Sequence, residues 1–281
     1  MLSLKDVLLG ILLPAVVAGV LLLLSTRVGT RQGRVLATWA LGAGYLCAHV
    51  GIIGWPARPS ATVTPGARDY MAWSVVLWLI CSLTALASAT PHALVPIFRA
   101  AFSALLIGVS LHAPIQASGG LWPAVVAFAL LIASWAGTDA LVERSSGPVP
   151  LLALLVTVTC ASIATLLGHG ALAAQLAGGM CACIGASAVV AWLAPTFQLA
   201  AGGVGVILLV LGGVLISGVF FADLHWASAT LVLVSLAAPW LVARSPVHRP
   251  WRAAIVRAAI AAAFGAAAIV VAQLTTPSYG E

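Results

Sequence analysis

The sequence predicts an all-α fold, a polytopic transmembrane helix bundle of about ten spans with no sizeable extramembrane domain. Three observations carry that prediction. First, 63% of the 281 residues are apolar and only 6% are charged, whereas soluble domains carry roughly 25% charged residues. So few charges cannot cover a water-facing surface, so most of the surface must face lipid. Second, apolar runs of about 20 residues, the length needed to cross the hydrocarbon core, recur along the whole chain. Third, the polar stretches between them are short, so the chain reads as one integral membrane domain over residues 1–281.

Breaks at Pro, Gly and charged residues divide the chain into runs at roughly 4–26, 35–55, 70–90, 94–116, 121–142, 149–168, 170–194, 200–221, 225–243 and 251–274. The first run is longer than the apolar core of a cleavable signal peptide and is followed by Arg27, Arg31 and Arg34, so it is expected to remain as a span. Pro14, within it, is expected to kink it. The longest connection, Pro56 to Asp69, holds three prolines and reads as an irregular loop. The sharpest division is Gly168-His169-Gly170, a very tight turn on which the orientation of every later span depends. The loop around Glu143–Pro148 separates five spans from five, giving possible halves 1–144 and 145–281 that would be inverted relative to each other.

Orientation follows from the basic loops. Arg27, Arg31 and Arg34 in the first loop and Arg244, Arg249 and Arg252 in the ninth fall on one side, with Arg99 and Arg144 near it. Only Lys5, Arg58 and Arg68 fall on the other. The basic side is therefore expected inside, with both termini outside, in a bacterial cytoplasmic (inner) membrane. Eight of the ten tryptophans lie at expected span ends, as aromatic belts require, and Trp78 and Trp135 lie deeper. The bilayer is thus the first partner, other membrane subunits are possible ones, and a net charge of +6 spread over short loops suits lipid headgroups and not nucleic acid.

Ionisable residues inside spans are costly and mark candidate sites. Asp139 and Glu143 are four apart near the inner end of span five, and Arg99 at similar depth in span four can pair with Asp139 across helices, as an inner ion pair or gate. Four histidines, His49, His112, His169 and His225, map to the outer side of successive even-numbered spans, with Asp223 beside the last. If they converge, imidazoles and Asp223 would suit a divalent metal, and two histidines on facing helices would suit haem b. Thr159, Ser162 and Thr165 form a hydroxyl stripe at helical spacing on span six, a possible polar path. Gly202, Gly203, Gly205, Gly212 and Gly213 in span eight, and Ala174 with Gly178 in span seven, suit close helix packing in the bundle interior.

The five cysteines all lie in apolar runs and form no secreted-type disulfide framework. No Walker loop, H-E-x-x-H, G-x-S-x-G or C-x-x-C-H occurs. Lys5 is the only lysine, which excludes a late retinal-binding lysine. In length, span number and low charge the chain resembles the drug/metabolite transporter superfamily. The resemblance is architectural, the outside termini depart from it, and no residue role is carried over. The function expected on these grounds is a small-solute permease, with a non-catalytic subunit of a larger membrane complex and a haem- or metal-binding membrane protein as alternatives.

Overall fold

The computed structural model describes residues 7–28, 30–57, 67–87, 94–112, 121–143, 148–194, 197, 199, 201–242 and 250–276. Over these residues the chain is helical throughout, without strands. A π-helical turn at Leu8–Leu12 leads into α1 (Leu13–Ser25). There follow α2 (Thr30–Ile52), α3 (Ala67–Ala87), α4 (Leu94–Ser110), α5 (Trp122–Glu143), α6 (Val149–Leu167), α7 (Ala171–Leu193), α8 (Ala201–Phe221), α9 (Trp226–Val242) and α10 (Pro250–Thr275). Each helix coincides with one apolar run of the sequence. The largest departure is α4, which stops at Ser110 rather than 116, ahead of Pro114. Seven helices are long and apolar enough to cross a membrane: α1 with its leading turn, α2, α5, α6, α7, α8 and α10. The apolar stretches of α3, α4 and α9 are shorter.

The beginning of the chain handles Pro14 differently from a simple kink. Proline lacks an N–H and its ring crowds the carbonyl four residues earlier. Here that strain is met by the wider π turn just before it, with Pro14 in the first turn of α1. The Cys183 thiol donates to the Pro14 carbonyl at 3.7 Å, which ties α7 to the start of α1. A second proline, Pro239, lies inside α9.

The tight turn between α6 and α7 forms. Backbone N–H groups of Gly168, His169 and Gly170 return to Ala164, Leu166 and Thr165 at 2.9–3.1 Å. The left-handed residue is His169, at φ 61°, not either glycine. Gly168 is needed for space instead: a Cβ there would lie 2.8 Å from the Leu224 backbone nitrogen. The two helices then run antiparallel in contact, with Ser162 Oγ donating to Ala174 O at 2.8 Å. At the other long connection, the ends are pinned by α3. Ala57 N donates to Asp69 Oδ1 at 3.1 Å and Trp73 Nε1 donates to Ala57 O at 2.9 Å.

The bundle is organised around α8. A helix apolar on all sides belongs in the interior, and 78% of the α8 span is buried, against 28% for α1, α5 and α10. Val204, Val206, Ile207, Leu208, Leu209, Val210, Leu211 and Val214 are each at most 1% exposed. It touches α2, α3, α4, α5, α6, α7 and α9, so elements from both halves of the sequence meet on it. Glycine makes this crowding possible. A Cβ at Gly205 would collide with the Trp78 ring of α3, and losing it would push the two helices apart. On α7 the close approach falls on Gly179, which meets Ala48 of α2, while Gly178 meets nothing within 4 Å. Of the pair expected from sequence spacing, Ala174 is buried against α6, whereas Gly178 is not at the close approach.

Candidate functional site

Among the described residues, the chemistry concentrates where α3, α4, α5 and α8 meet. Arg99, on the second turn of α4, forms an ion pair with Asp139 of α5. The Asp139 residue is 6% exposed. Arg99 stands five residues in from Leu94 and Asp139 four residues in from Glu143, so each charge is a little over one turn from its helix end. The guanidinium also lies over the Trp135 ring, 5.7 Å from its centroid. Trp135 and Asp139 are one turn apart on α5, so a single face of that helix offers Arg99 both a carboxylate and a π surface.

Behind this pair stands an aromatic wall. Trp78 of α3 meets Trp135 at 5.3 Å and Phe102 of α4 edge-on at 5.2 Å between ring centroids. Its Nε1 donates to Gly202 O at the start of α8, at 2.8 Å. Trp78 thus ties the site to the central helix, and the glycines of α8 leave room for its ring. On α4, Ser103 lies one turn beyond Arg99 and is fully buried. Leu106 and Leu131 both reach Gly212 farther along. With Arg99 at Asp139, this gives α4 and α5 an antiparallel register that sets Ser103 against Trp135.

What distinguishes this cluster is unspent hydrogen-bonding capacity. Arg99 Nε, Ser103 Oγ and Trp135 Nε1 are all buried without a hydrogen-bond partner among the described residues. Each orphaned buried group costs about 1–3 kcal/mol, and buried polar groups are normally satisfied. One such group on the pair's own guanidinium and two more beside it make a site with donors to spare. Among the described side chains of the site the charges balance, since the guanidinium and the carboxylate cancel.

The remaining candidates are arranged otherwise. The backbone of Glu143 closes α5, and its side chain lies outside the described residues. The hydroxyl stripe of α6 is used in packing. Ser162 bonds to α7, and Thr159 donates to Leu155 O at 2.8 Å with Cys181 Sγ at 3.5 Å. Thr165 is fully buried. The neighbouring Thr157 accepts from Ser235 of α9 at 2.9 Å. Neither of two cavities at the bundle surface involves the stripe. One, about 480 Å³, lies between α5, α8 and α9 and is lined by residues such as Val126, Leu130, Leu215 and Leu233. The other, about 460 Å³, lies between α3 and α4 around Trp73, Leu77 and Leu105.

The histidines do not converge. His49 is fully buried in α2, its ring 6.1 Å from that of Tyr45, whereas His112 and His169 are exposed. The Asp223 N–H donates to Gly168 O at 2.8 Å, which lays the turn of His169 against the connection holding Asp223 and His225. The His225 Nδ1 accepts from Ala227 N at 3.2 Å. Among the described residues no three His, Cys, Asp or Glu side chains gather as a metal site would require.

Sequence reasoning reached Arg99 and Asp139 through their depth but missed Trp78, Trp135 and Ser103 as site residues. The signal was present: Trp78 and Trp135 are the two tryptophans that depart from the aromatic belts. Trp55, Trp122, Trp192 and Trp226, at helix ends, are 66–86% exposed, while Trp135 is 1% and Trp78 8% exposed. Comparison with protein families, with curated proteins and with solved structures finds no match.

Proposed function

We propose that the chain is a ten-span protein of a bacterial cytoplasmic membrane, with both termini outside, and that it is a small-solute permease. The single observation that supports permeation is the Arg99–Asp139 pair with its three unspent donors. Ionisable groups inside membrane segments are expensive to keep and characteristically mark substrate paths. A merely structural ion pair would have its neighbouring donors satisfied. In this reading Arg99, Asp139, Ser103 and Trp135 hold the solute, and Trp78 carries its arrival to the central helix. The hydroxyls of α6 belong to packing, so the polar path runs between α4 and α5 instead. The ten-span reading rests on helices at all ten apolar runs, three of them short, and the orientation on the basic first and ninth loops.

Osmotic swelling of proteoliposomes tests the permease without a labelled substrate. Vesicles holding the purified protein are placed in isosmotic glycine, acetamide, sodium acetate or methylammonium chloride. The expectation is faster swelling than protein-free vesicles in at least one solute. A folded Asp139→Asn protein, judged by an unchanged elution profile, should lose that excess. Swelling at the protein-free rate in all four solutes would overturn the reading.

A further inference from the structure

Resting on the permease reading, we infer that the solute is a small zwitterion carrying a carboxylate and an ammonium group on neighbouring carbons. The charge balance of the site leads there. Arg99 and Asp139 neutralise each other, and they do so in a region where an uncompensated charge is costly. A solute with a single charge would leave the site charged when bound. A zwitterion inserts between the partners and leaves the net charge at zero. Its carboxylate takes the guanidinium of Arg99 and its ammonium takes the carboxylate of Asp139. When it leaves, the two side chains close on each other again, so neither state strands a buried charge.

The unspent donors fit the same solute. Arg99 Nε, Ser103 Oγ and Trp135 Nε1 are all donors, or rotate to be donors, and none has a partner among the described residues. A carboxylate has about four acceptor positions, and Arg99 alone does not fill them. The register of α4 and α5 puts Ser103 and Trp135 at one level, one turn beyond the ion pair, where they supply the rest. The ammonium end needs acceptors only, and Asp139 provides them. The wall of Trp78, Phe102 and Trp135, packed ring on ring with centroids 5.2–5.3 Å from that of Trp78, bounds the site on one side and favours a small solute. Glycine is the minimal solute with these features.

Binding to the purified full chain, followed by tryptophan emission because Trp78 and Trp135 line the site, tests the inference with glycine, acetate, methylammonium and acetamide. Glycine should bind saturably, and acetate and methylammonium at least about tenfold more weakly, since each supplies half of the contacts. Ser103→Ala should weaken glycine binding by about tenfold without lowering the thermal unfolding midpoint. Trp135→Phe, read by calorimetry because it removes a reporter, should weaken binding by a similar factor, although the lost ring volume in the core also lowers the midpoint. Acetate or methylammonium binding as tightly as glycine would overturn the inference. So would glycine binding that ignores both substitutions. If acetamide or a single ion is bound and drives swelling while glycine does neither, the zwitterion fails and the permease stands. If none of the four binds or drives swelling, the permease reading itself fails.

Discussion

The two flanks of α8 differ in what they do with the polar groups at their helix contacts. On the flank of α6, α7, α9 and α10, hydroxyls tie helices together. Ser228 of α9 donates to Ala268 O of α10 at 2.7 Å, Ser235 of α9 donates to Thr157 of α6, and Ser162 of α6 donates to Ala174 O of α7. Thr165, buried with a free hydroxyl, is the exception there. On the flank of α3, α4 and α5, a charged pair with one unused donor of its own adjoins two more, none with a partner among the described residues, and Ser110 at the end of α4 is unsatisfied there as well. The first arrangement is what packing alone selects, because a polar group facing lipid or apolar side chains gains by finding a partner. The second is costly and gives the fold nothing in return. Cost without structural return is the physical signature of a functional site.

The largest effect expected from this contrast comes from splitting the ion pair. Asp139→Leu leaves Arg99 buried without its counter-ion and should cost about 3 kcal/mol, near the lower end for a broken buried pair because the Arg99 side chain retains 18% exposure. The double variant Arg99→Leu with Asp139→Leu should recover most of that loss, because no lone charge remains. Reversible unfolding in mixed detergent measures both. A double variant as unstable as the single one would show that the pair holds the helices together, and the contrast between the flanks would collapse.

A smaller effect should follow from filling the space that Trp78 needs. Gly205→Ala pushes a methyl group into the indole and, as overpacking of a tight interface, should cost about 1–3 kcal/mol. Because Trp78 packs on Trp135, the same change should shift the tryptophan emission and weaken solute binding. Gly178→Ala, where a Cβ meets nothing within 4 Å, should do neither. The same unfolding assay reads the pair, and equal losses would mean that the close approach at Trp78 is not what positions the site.

The bundle itself was legible because its signal is one-dimensional. A run of about 20 apolar residues has to be a span or a buried helix, and Pro, Gly and charge mark where it ends. The turn at Gly168–Gly170 could be read from three residues, although the left-handed conformation fell on His169. Arg99 and Asp139 could be paired because depth along two antiparallel spans is also one-dimensional. What the sequence withholds is adjacency. Helical spacing put Thr159, Ser162 and Thr165 on one face but not against α7, and it put four histidines at one level without saying that His49 turns into the core. Trp78 and Trp135 carried the missing information in negative form, as tryptophans too deep for the interface. The π turn before Pro14 left no trace beyond the proline.

The smallest expected effect is also the finest test of the contrast, because it compares one serine hydroxyl from each flank. Ser235 bonds both to Thr157 and to Val232 O of its own helix. Ser235→Ala removes the tie between α9 and α6, but Thr157 can still turn to its own backbone. The cost should be near the average for a hydrogen bond between membrane helices, about 0.6 kcal/mol. Ser103→Ala removes a hydroxyl that has no partner among the described residues, so it should cost nothing measurable, or stabilise slightly by abolishing an unsatisfied group. The sign of the difference matters more than its size. If Ser103→Ala proves as destabilising as Ser235→Ala, then Ser103 has a structural partner in the resting protein, and its donor is not held in reserve for a solute. If only Ser235→Ala destabilises, the donors beside Arg99 are kept at a cost that folding alone does not explain.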